Sequence, residues 1–424
     1  MLHLELDREG PLNQQLVRAL KRAVFDGRLA DGQRLPATRD LARLLAVSRG
    51  TVVDAYEQLV AEGFLHGRVG AGTFVALRAA VPAPARATAA GPVRLSAWGR
   101  RARLAAPHRP SPLRRRALRW NLEYGVPLAV PALHAAWRRA LAHAVDRSDP
   151  DYPPAHGHPA LRTAIAGYLA RRRGIVADAE DVLVVSGTQQ AVALAASLLV
   201  DPGEPAVLEE PCYQGTRHVL RALGARLVAL PVDADGLRTG RLPRGGARLA
   251  VVTPSHQFPL GAVLSLERRL ALLAWARRHA AWIVEDDYDG EFRHDGRPLA
   301  ALKSLDEAGR VIHVGSFSKV AFPALRLGYV VVPPALREAF RAAKWLADRG
   351  APPVTQQALA ELIDSGHFER LLRRSGRLLL ERREALIAGL ARHCGDAVEV
   401  AGTAAGMHLT VWLRDVPPAS VAAL

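Results

Sequence analysis

The stretch that decides the architecture is Val311 to Val332, VIHVGSFSKVAFPALRLGYVVV. Two apolar runs within it, Val311–Val314 and Leu327–Val332, read as buried strands. Between them lie Ser316, Phe317, Ser318 and Lys319, and Arg326 follows seven residues after the lysine. The chain holds 53 arginines but only four lysines, Lys21, Lys303, Lys319 and Lys344. Arginine supplies positive charge equally well, yet its guanidinium keeps its proton and forms no Schiff base. A lysine between hydroxyls, on a loop joining two buried strands, is therefore a candidate for covalent attachment to an aldehyde. The competing reading is a surface lysine in a turn, and its neighbours have to decide between the two.

Working outward, Val182–Val185, Ala206–Leu208, Arg226–Leu230, Leu249–Thr253 and Trp282–Glu285 read as further strands, with helical segments between several of them. Such alternation predicts an α/β domain with a mostly parallel sheet covered by helices on both faces. Ligands of such sheets sit at the carboxyl ends of the strands, and each motif here follows a strand. Ser186-Gly187-Thr188-Gln189 opens a helix whose first N–H groups suit a phosphate. Tyr213, after Glu210-Pro211-Cys212, reads either as a stacking aromatic or as a packed core tyrosine. Glu285 to Asp289 places four carboxylates within five residues after an apolar run, where burial is costly without a cationic partner.

Taken together, these parts describe one ligand with a phosphate, an aromatic ring carrying a protonatable nitrogen, and an aldehyde. Pyridoxal 5'-phosphate (PLP) fits each part. Asp286 would keep the pyridine nitrogen protonated, Lys319 would form the Schiff base, and Tyr288 would approach the ring hydroxyl. Tyr213 would stack on the ring. Gly187, Thr188 and Gln189, with Ser316, Ser318 and Arg326, would hold the phosphate.

The N-terminal residues have a different character. Leu12, Leu16 and Leu20 mark one face of a first helix, Thr38 sits at an N-cap position before a second, and Ser48 caps a third that ends at Gly63. Leu41, Leu44 and Leu45 face Val52, Val53, Tyr56 and Leu59 by helical spacing. FLHGRVGAGTFVAL then reads as a hairpin with glycines at its tip. Three helices and a hairpin make a winged helix-turn-helix. Ser48, Arg49 and Thr51 would enter the major groove, Arg49 as a bidentate donor to guanine, and Gly70 and Gly72 would let the wing backbone approach phosphates. A small helical domain with a protein-binding hairpin is the alternative.

Net charge is +16, but residues 1–77 carry ten basic and nine acidic groups, whereas residues 78–119 carry 11 arginines and no acid. The latter stretch, rich in Ala, Pro and Arg, reads as a linker that adds phosphate contacts, or as a self-repelling spacer. Two distant cysteines, Cys212 and Cys394, exclude a disulfide framework and suit a reducing compartment. No signal peptide is visible, and the longest apolar run is too short to span a bilayer. A cytoplasmic protein without a membrane partner is the expectation.

LPATRDLARLLAVSRGTVVDAYEQLVAEGFLHGRVGAGTFV closely resembles the DNA-binding domain of the GntR family of bacterial regulators. That resemblance implies that Arg34, Arg39, Arg49 and Gly70 touch DNA. The region from about residue 120 resembles fold type I aminotransferases. The order SGTQQ, EPCYQG, TPSHQFPLG, EDDYDGEFR, SFSK and RLGY is similar to the MocR subfamily, in which a winged helix is fused to an aminotransferase-like domain. The resemblance implies a Schiff-base role for Lys319, the pyridine-nitrogen acid at Asp286, the ring-hydroxyl partner at Tyr288, stacking by Tyr213 and phosphate binding by Arg326. The implied division is residues 1–77 for DNA binding, 78–119 for the linker and 120–424 for the PLP domain.

Two departures stand out. Aminotransferases have an asparagine in an Asn-Pro-x-Gly motif that contacts the ring hydroxyl; here Phe258 holds that place, with His256 or Gln257 as substitutes. The chain also stops at Leu424, before the small domain would be complete and without an arginine matching the one that binds substrate carboxylate, so a C-terminal truncation is expected. The resemblance implies a PLP-dependent transcription regulator that senses PLP or a small amino compound, binds operator DNA and forms a domain-swapped homodimer. The alternatives are a PLP-dependent aminotransferase with a secondary DNA-binding domain, and a PLP-binding remnant.

Overall fold

The computed structural model describes residues 4–76, 93–105, 128, 131–294, 299–402 and 405–416. The chain divides into two compact units, Met1–Arg94 and Leu95–Leu424. Among the described residues no helix is long and apolar enough to cross a membrane.

The first unit contains α1 (Leu12–Phe25), α2 (Thr38–Leu45), α3 (Arg49–Ala61), β1 (Leu65–Arg68) and β2 (Gly72–Val75). Leu16 and Leu20 of α1 pack with Leu41, Val52, Leu59 and the hairpin residues Leu65 and Val75. The hairpin pairs antiparallel from Leu65 opposite Val75 to Arg68 opposite Gly72. The segment before α2 extends this wing, since Leu35 N–H donates to the Thr73 carbonyl and Val75 N–H to that of Gln33, both at 2.9 Å. Ser48 caps α3 as expected, accepting from Thr51 N at 3.1 Å. Thr38 does not cap α2: Ala37 is the N-cap and Thr38 the first helical residue. The helix entry is set instead by the Tyr56 hydroxyl, which donates to the Pro36 carbonyl at 3.0 Å. Leu44 is exposed rather than facing α3, because the eight residues of α2 turn only Leu41 and Ala42 fully inward.

The second unit opens with α4 (Ala97–Ala105), inside the stretch read as a linker without regular structure. Arg101 docks α4 on the unit, donating to the carbonyls of Ala222 at 2.9 Å and Leu223 at 3.3 Å. Trp98 and Leu104 on the same helix are exposed. The readings for residues 77–92, 106–127 and 417–424 fall outside the described residues.

There follow α5 (Pro131–Arg147), α6 (Pro159–Arg173), β3 (Val182–Val185), α7 (Thr188–Leu199), β4 (Pro205–Glu210), α8 (Gln214–Leu223), β5 (Arg226–Asp233) and β6 (Gly236–Leu237). Next come β7 (Leu249–Val252), α9 (Leu266–Arg278), β8 (Trp282–Asp287), β9 (Val311–Ser316) and β10 (Gly328–Val331). The order of the eight-stranded sheet is β3-β10-β9-β8-β7-β4-β5-β6. The neighbours from β9 to β5 run parallel, and β10 runs antiparallel to both β3 and β9. The short segment between β9 and β10 holds no crossover helix, so the chain turns straight back. One face packs on α7, α8 and α10 (Arg337–Asp348), through residues such as Ala195, Leu220 and Phe340. The other face takes Leu161 and Ile165 of α6 at one end and Leu272 and Trp275 of α9 at the other. α11 (Pro353–Asp364), α12 (His367–Cys394) and the antiparallel pair β11 (Val398–Ala401) and β12 (Thr410–Leu413) complete the unit.

β8 ends in Glu285-Asp286-Asp287, all buried. Alternation along a strand sends Glu285 and Asp287 to one face and Asp286 to the other. Glu285 is fully buried, which by itself would raise its pKa. The His313 ring 2.9 Å away and the N–H groups of Leu302 and Lys303 hold it below the usual carboxylate range. Asp287 pairs with Arg173 of α6 at 2.7 Å. Arg173 also donates to the carbonyls of Gly290 and Leu299 and to Ser255 Oγ. Burial would lower its pKa, but Asp287, Glu291 and Glu285 keep it firmly charged. Breaking a buried pair by removing one partner strands the other charge. Arg173→Met is therefore expected to destabilise this unit by about 3–5 kcal/mol, measured by urea denaturation of the full chain. Arg173→Lys, which keeps the charge but loses the fork, should recover only part of it.

Candidate functional site

The carboxyl end of the sheet gathers the residues singled out in the sequence. Gly187 is the N-cap of α7, with φ +111°, and its carbonyl accepts from Gln190 N and Ala191 N. Thr188 and Gln189 form the first helical positions, so their N–H groups point out of the helix start. A Cβ placed on Gly187 would lie 3.7–3.8 Å from the terminal nitrogens of Arg326. Arg326 itself adopts the left-handed conformation, φ +51°, just before β10. Its side chain is exposed, and among the described residues no carboxylate pairs with it. A helix N-terminus facing an exposed guanidinium across a glycine is a cradle for a dianion. Ser316 is buried at the end of β9, and its Oγ accepts from Ser318 N at 3.2 Å.

Asp286 faces the α7 side, where Thr188 Oγ1 donates to it at 3.3 Å. Burial pushes its pKa up to about 7, and the charges of Asp287, Asp289 and Glu209 add to this. A cationic N–H brought to this carboxylate would reverse that penalty. Tyr213 precedes α8 and is partly buried, with its ring edge-on to Phe258 at 5.8 Å. Its ring also covers Gly215, where a Cβ would lie 2.3 Å from it and 2.5 Å from Gln189 Oε1. Tyr213 is thus at the site rather than in the core.

Lys319 lies in the turn after β9 and lines a small cavity with Phe292, Ala321, Ser375 and Met407. The other three lysines are engaged elsewhere. Lys21 pairs with Glu62, Lys303 donates to the Val311 carbonyl at 2.8 Å, and Lys344, fully buried, holds Asp348.

The structure separates the two substitutes for the missing asparagine. Gln257 is committed to its own loop: its Nε2 donates to the carbonyls of Pro211 and Phe258, both at 2.8 Å, and its Oε1 accepts from Leu260 N. His256 reaches Tyr288, with Nδ1 3.0 Å from the hydroxyl and 2.9 Å from Asp289 Oδ2. Phe258 stands edge-on to Tyr288 at 6.0 Å. From the C-terminal segment, His408 lies over His256 at 4.8 Å between ring centroids and donates from Nε2 to the Pro259 carbonyl at 3.0 Å. His256, Asp289 and His408 also bring one potential ligand atom each within 4.8 Å of one another. Arg173, His313 and His408 are not singled out by the sequence, and Asp289 is read only as one carboxylate of the acidic run. The only signal for them is the costly acidic run, which demands partners without naming them.

In the first unit, Ser48, Arg49 and Thr51 cluster at the start of α3, with Ser48 Oγ 2.8 Å from Thr51 Oγ1. Arg34, Arg39 and Arg49 are exposed. Arg34 lies along the wing: a Cβ on Gly72 would meet its Nε at 3.0 Å. Gly70 forms the wing turn at φ +75° with open space around it.

Residues 124–420 match the family of aminotransferases class I and II, and residues 12–75 match the gntR family of bacterial regulatory proteins. The chain is 41% identical over 416 residues to the probable rhizopine catabolism regulatory protein MocR of Rhizobium meliloti, covering 96% of this chain and 83% of that one. It is 37% identical to the transcriptional regulator TauR of Rhodobacter capsulatus, covering 96% and 84%. Among solved structures, LysN, the alpha-aminoadipate aminotransferase of Thermus thermophilus complexed with N-(5'-phosphopyridoxyl)-L-leucine, is 30% identical with a TM-score of 0.63, covering 69% of this chain and 76% of that one. PLP is the cofactor this fold implies, and the cradle, the buried acid Asp286 and the lysine fit it. The chain belongs to the MocR-type regulators of the GntR family, in which a DNA-binding winged helix is joined to a class I and II aminotransferase domain.

Proposed function

We propose that this regulator is a cytoplasmic, domain-swapped homodimer that reports PLP or a small primary amine to operator DNA through the site around Lys319. The observation that carries the reading is Asp286: a buried acid with no cationic partner among the described residues, on the same sheet edge as the Gly187–Arg326 cradle. PLP supplies an aldehyde for amines and an electron-withdrawing pyridine ring. Lys319 Nζ is the amine that would hold the aldehyde. Asp286 would accept the hydrogen bond of the ring N–H and Tyr213 would cover the ring face. Gly187, Thr188 and Gln189 would donate backbone N–H groups to the phosphate, with Ser316, Ser318 and Arg326 completing the shell. A competing amine would change how Lys319 is engaged, and the operator affinity would shift by the coupling free energy between the two sites. In the first unit Arg49 would read a base edge, while Arg34, Arg39, Ser48, Thr51, Gly70 and Gly72 would fix the winged helix on the backbone.

DNase footprints of DNA upstream of the protein's own gene, with and without PLP, test this reading. Protection that changes with PLP in the wild type but not in Lys319→Ala is the expected outcome. Protection indifferent to both would show that the second unit senses something else. Arg49→Ala is expected to lose specific protection while retaining the visible absorption of bound PLP. Sustained amino-acid turnover by the purified protein would favour the aminotransferase alternative.

Asp286 also predicts a pH dependence. Its folded pKa, about 7, stands above the ordinary value of 3.8, so the ligand-free native state holds a proton that the unfolded state has lost. Its contribution to stability is therefore present below pH 4 and is lost as pH rises towards 7. In thermal melts between pH 5 and 8, ligand-free Asp286→Asn is expected to show a shallower decline with rising pH than the wild type. Loading the wild type with PLP should flatten its decline as well.

A further inference from the structure

The arrangement around Tyr288 determines where its hydroxyl proton points. His256 Nδ1 has two oxygen neighbours, Asp289 Oδ2 at 2.9 Å and Tyr288 Oη at 3.0 Å. A ring nitrogen carries either a proton or a lone pair. A bare Nδ1 would set lone pair against carboxylate lone pair, with His256 and Asp289 each only 1% exposed. So Nδ1 carries the proton and gives it to Asp289. Asp289 Oδ2 is further fixed by Met407 N at 3.3 Å. Nε2 is buried without a hydrogen-bond partner among the described residues, which suits a bare nitrogen and not an N–H. With Nδ1 already a donor, Tyr288 Oη can only accept on that side. Its own proton must leave in another direction.

We propose that His256 and Asp289 form a positioning pair that turns the Tyr288 hydroxyl so that it donates towards the ring hydroxyl oxygen of PLP. This rests on the reading of Tyr288 as the residue beside that oxygen, and deepens it. The amide that aminotransferases place there is absent, and Phe258, edge-on to Tyr288 at 6.0 Å, supplies no donor. A single tyrosine hydroxyl then has to do the work of two donors, and its direction must be fixed. Gly406 closes the pair from above: a Cβ there would lie 2.1 Å from His256 Cε1 and 2.5 Å from Asp289 Oδ2.

The other titratable groups facing this cluster are Asp286 and Asp287 of β8, Glu209 of β4, Lys319 and His408. Burial lowers the pKa of His408, which keeps it neutral near pH 7. None of them reverses the tautomer argument, because none donates to Asp289 in place of His256.

The experiment is a pH titration of the visible absorption band of the PLP-loaded full chain. A donor to the ring oxygen stabilises its anionic form and lowers the pH midpoint of the band. His256→Leu removes the N–H that holds the Tyr288 oxygen and frees its hydroxyl to rotate away, so the midpoint is expected to rise by about one pH unit. In a Tyr288→Phe background the same substitution should leave the midpoint unchanged, because the two act through one hydroxyl. Equal shifts in both backgrounds, or a fall in the midpoint, would overturn the proposal. A second measurement needs neither PLP nor a variant that binds it. In ligand-free protein with 15N-labelled histidine, the His256 resonances, identified by their loss in His256→Leu, should show Nδ1 protonated and Nε2 bare. The opposite tautomer would overturn the proposal whether or not the variant binds PLP. A wild type without any band dependent on Lys319 would count against the cofactor reading, while the tautomer measurement would still decide the pairing.

Discussion

Three consecutive carboxylates at the buried end of one strand are the constraint on which the second unit depends. Ordinary burial of even one would be prohibitive without compensation. Alternation along the strand divides the problem. Glu285 and Asp287 go to one face, where His313, Arg173 and the backbone N–H groups of Leu302 and Lys303 meet them. Asp286 goes to the other, where only the Thr188 hydroxyl waits among the described residues. The structural pair and the acid on the opposite face are therefore one device. The compensated face fixes the strand end so firmly that the uncompensated acid cannot swing away to find water or a cation of its own. Arg173 carries this outwards, tying the end of α6 to the loops after β7 and β8 through Ser255, Gly290 and Leu299.

Much of this was legible in the sequence because it was written in local patterns. Short apolar runs such as Val182–Val185 and the largely apolar Val311–Val314 read as strands buried on both faces, and the structure places them so. Ser48 was readable as a cap because its side chain acts within three residues of its own position. What was not legible depends on distant residues. Thr38 has the chemistry of a cap, but the Tyr56 hydroxyl, twenty residues from Pro36, fixes where the backbone turns into the helix. The partners of the acidic run come from α6, β9 and the C-terminal segment, and no spacing rule links Arg173 to Asp287, His313 to Glu285 or the Met407 N–H to Asp289. α4 escaped notice because its arginine-rich composition resembles a tether; what holds it is Arg101 reaching two carbonyls at the end of α8.

The HQFP loop shows how a departure from an aminotransferase pattern can be absorbed without losing the site's logic. Gln257 braces the loop through backbone carbonyls, Phe258 fills the space with a ring that touches Tyr213, Tyr288 and His408, and His256 faces the tyrosine. Polar function moves one or two residues along the chain, while the centre of the loop becomes apolar and dry. A site intended to hold its ligand and report on it gains from such dryness, because every remaining hydrogen bond is stronger and more directional away from water.

The fate of the four lysines carries a last consequence. If the protein reads PLP as proposed, any accessible amine on its surface would compete for the aldehyde. In this chain one such amine is salt-bridged, one is bonded to a backbone carbonyl and one is wholly enclosed with Asp348. Nearly all the remaining positive charge is guanidinium, which attracts phosphates but does not react with carbonyls. The protein can thus be strongly basic, as DNA binding favours, through a group that does not condense with aldehydes. Charge and nucleophilicity are thereby carried by different side chains.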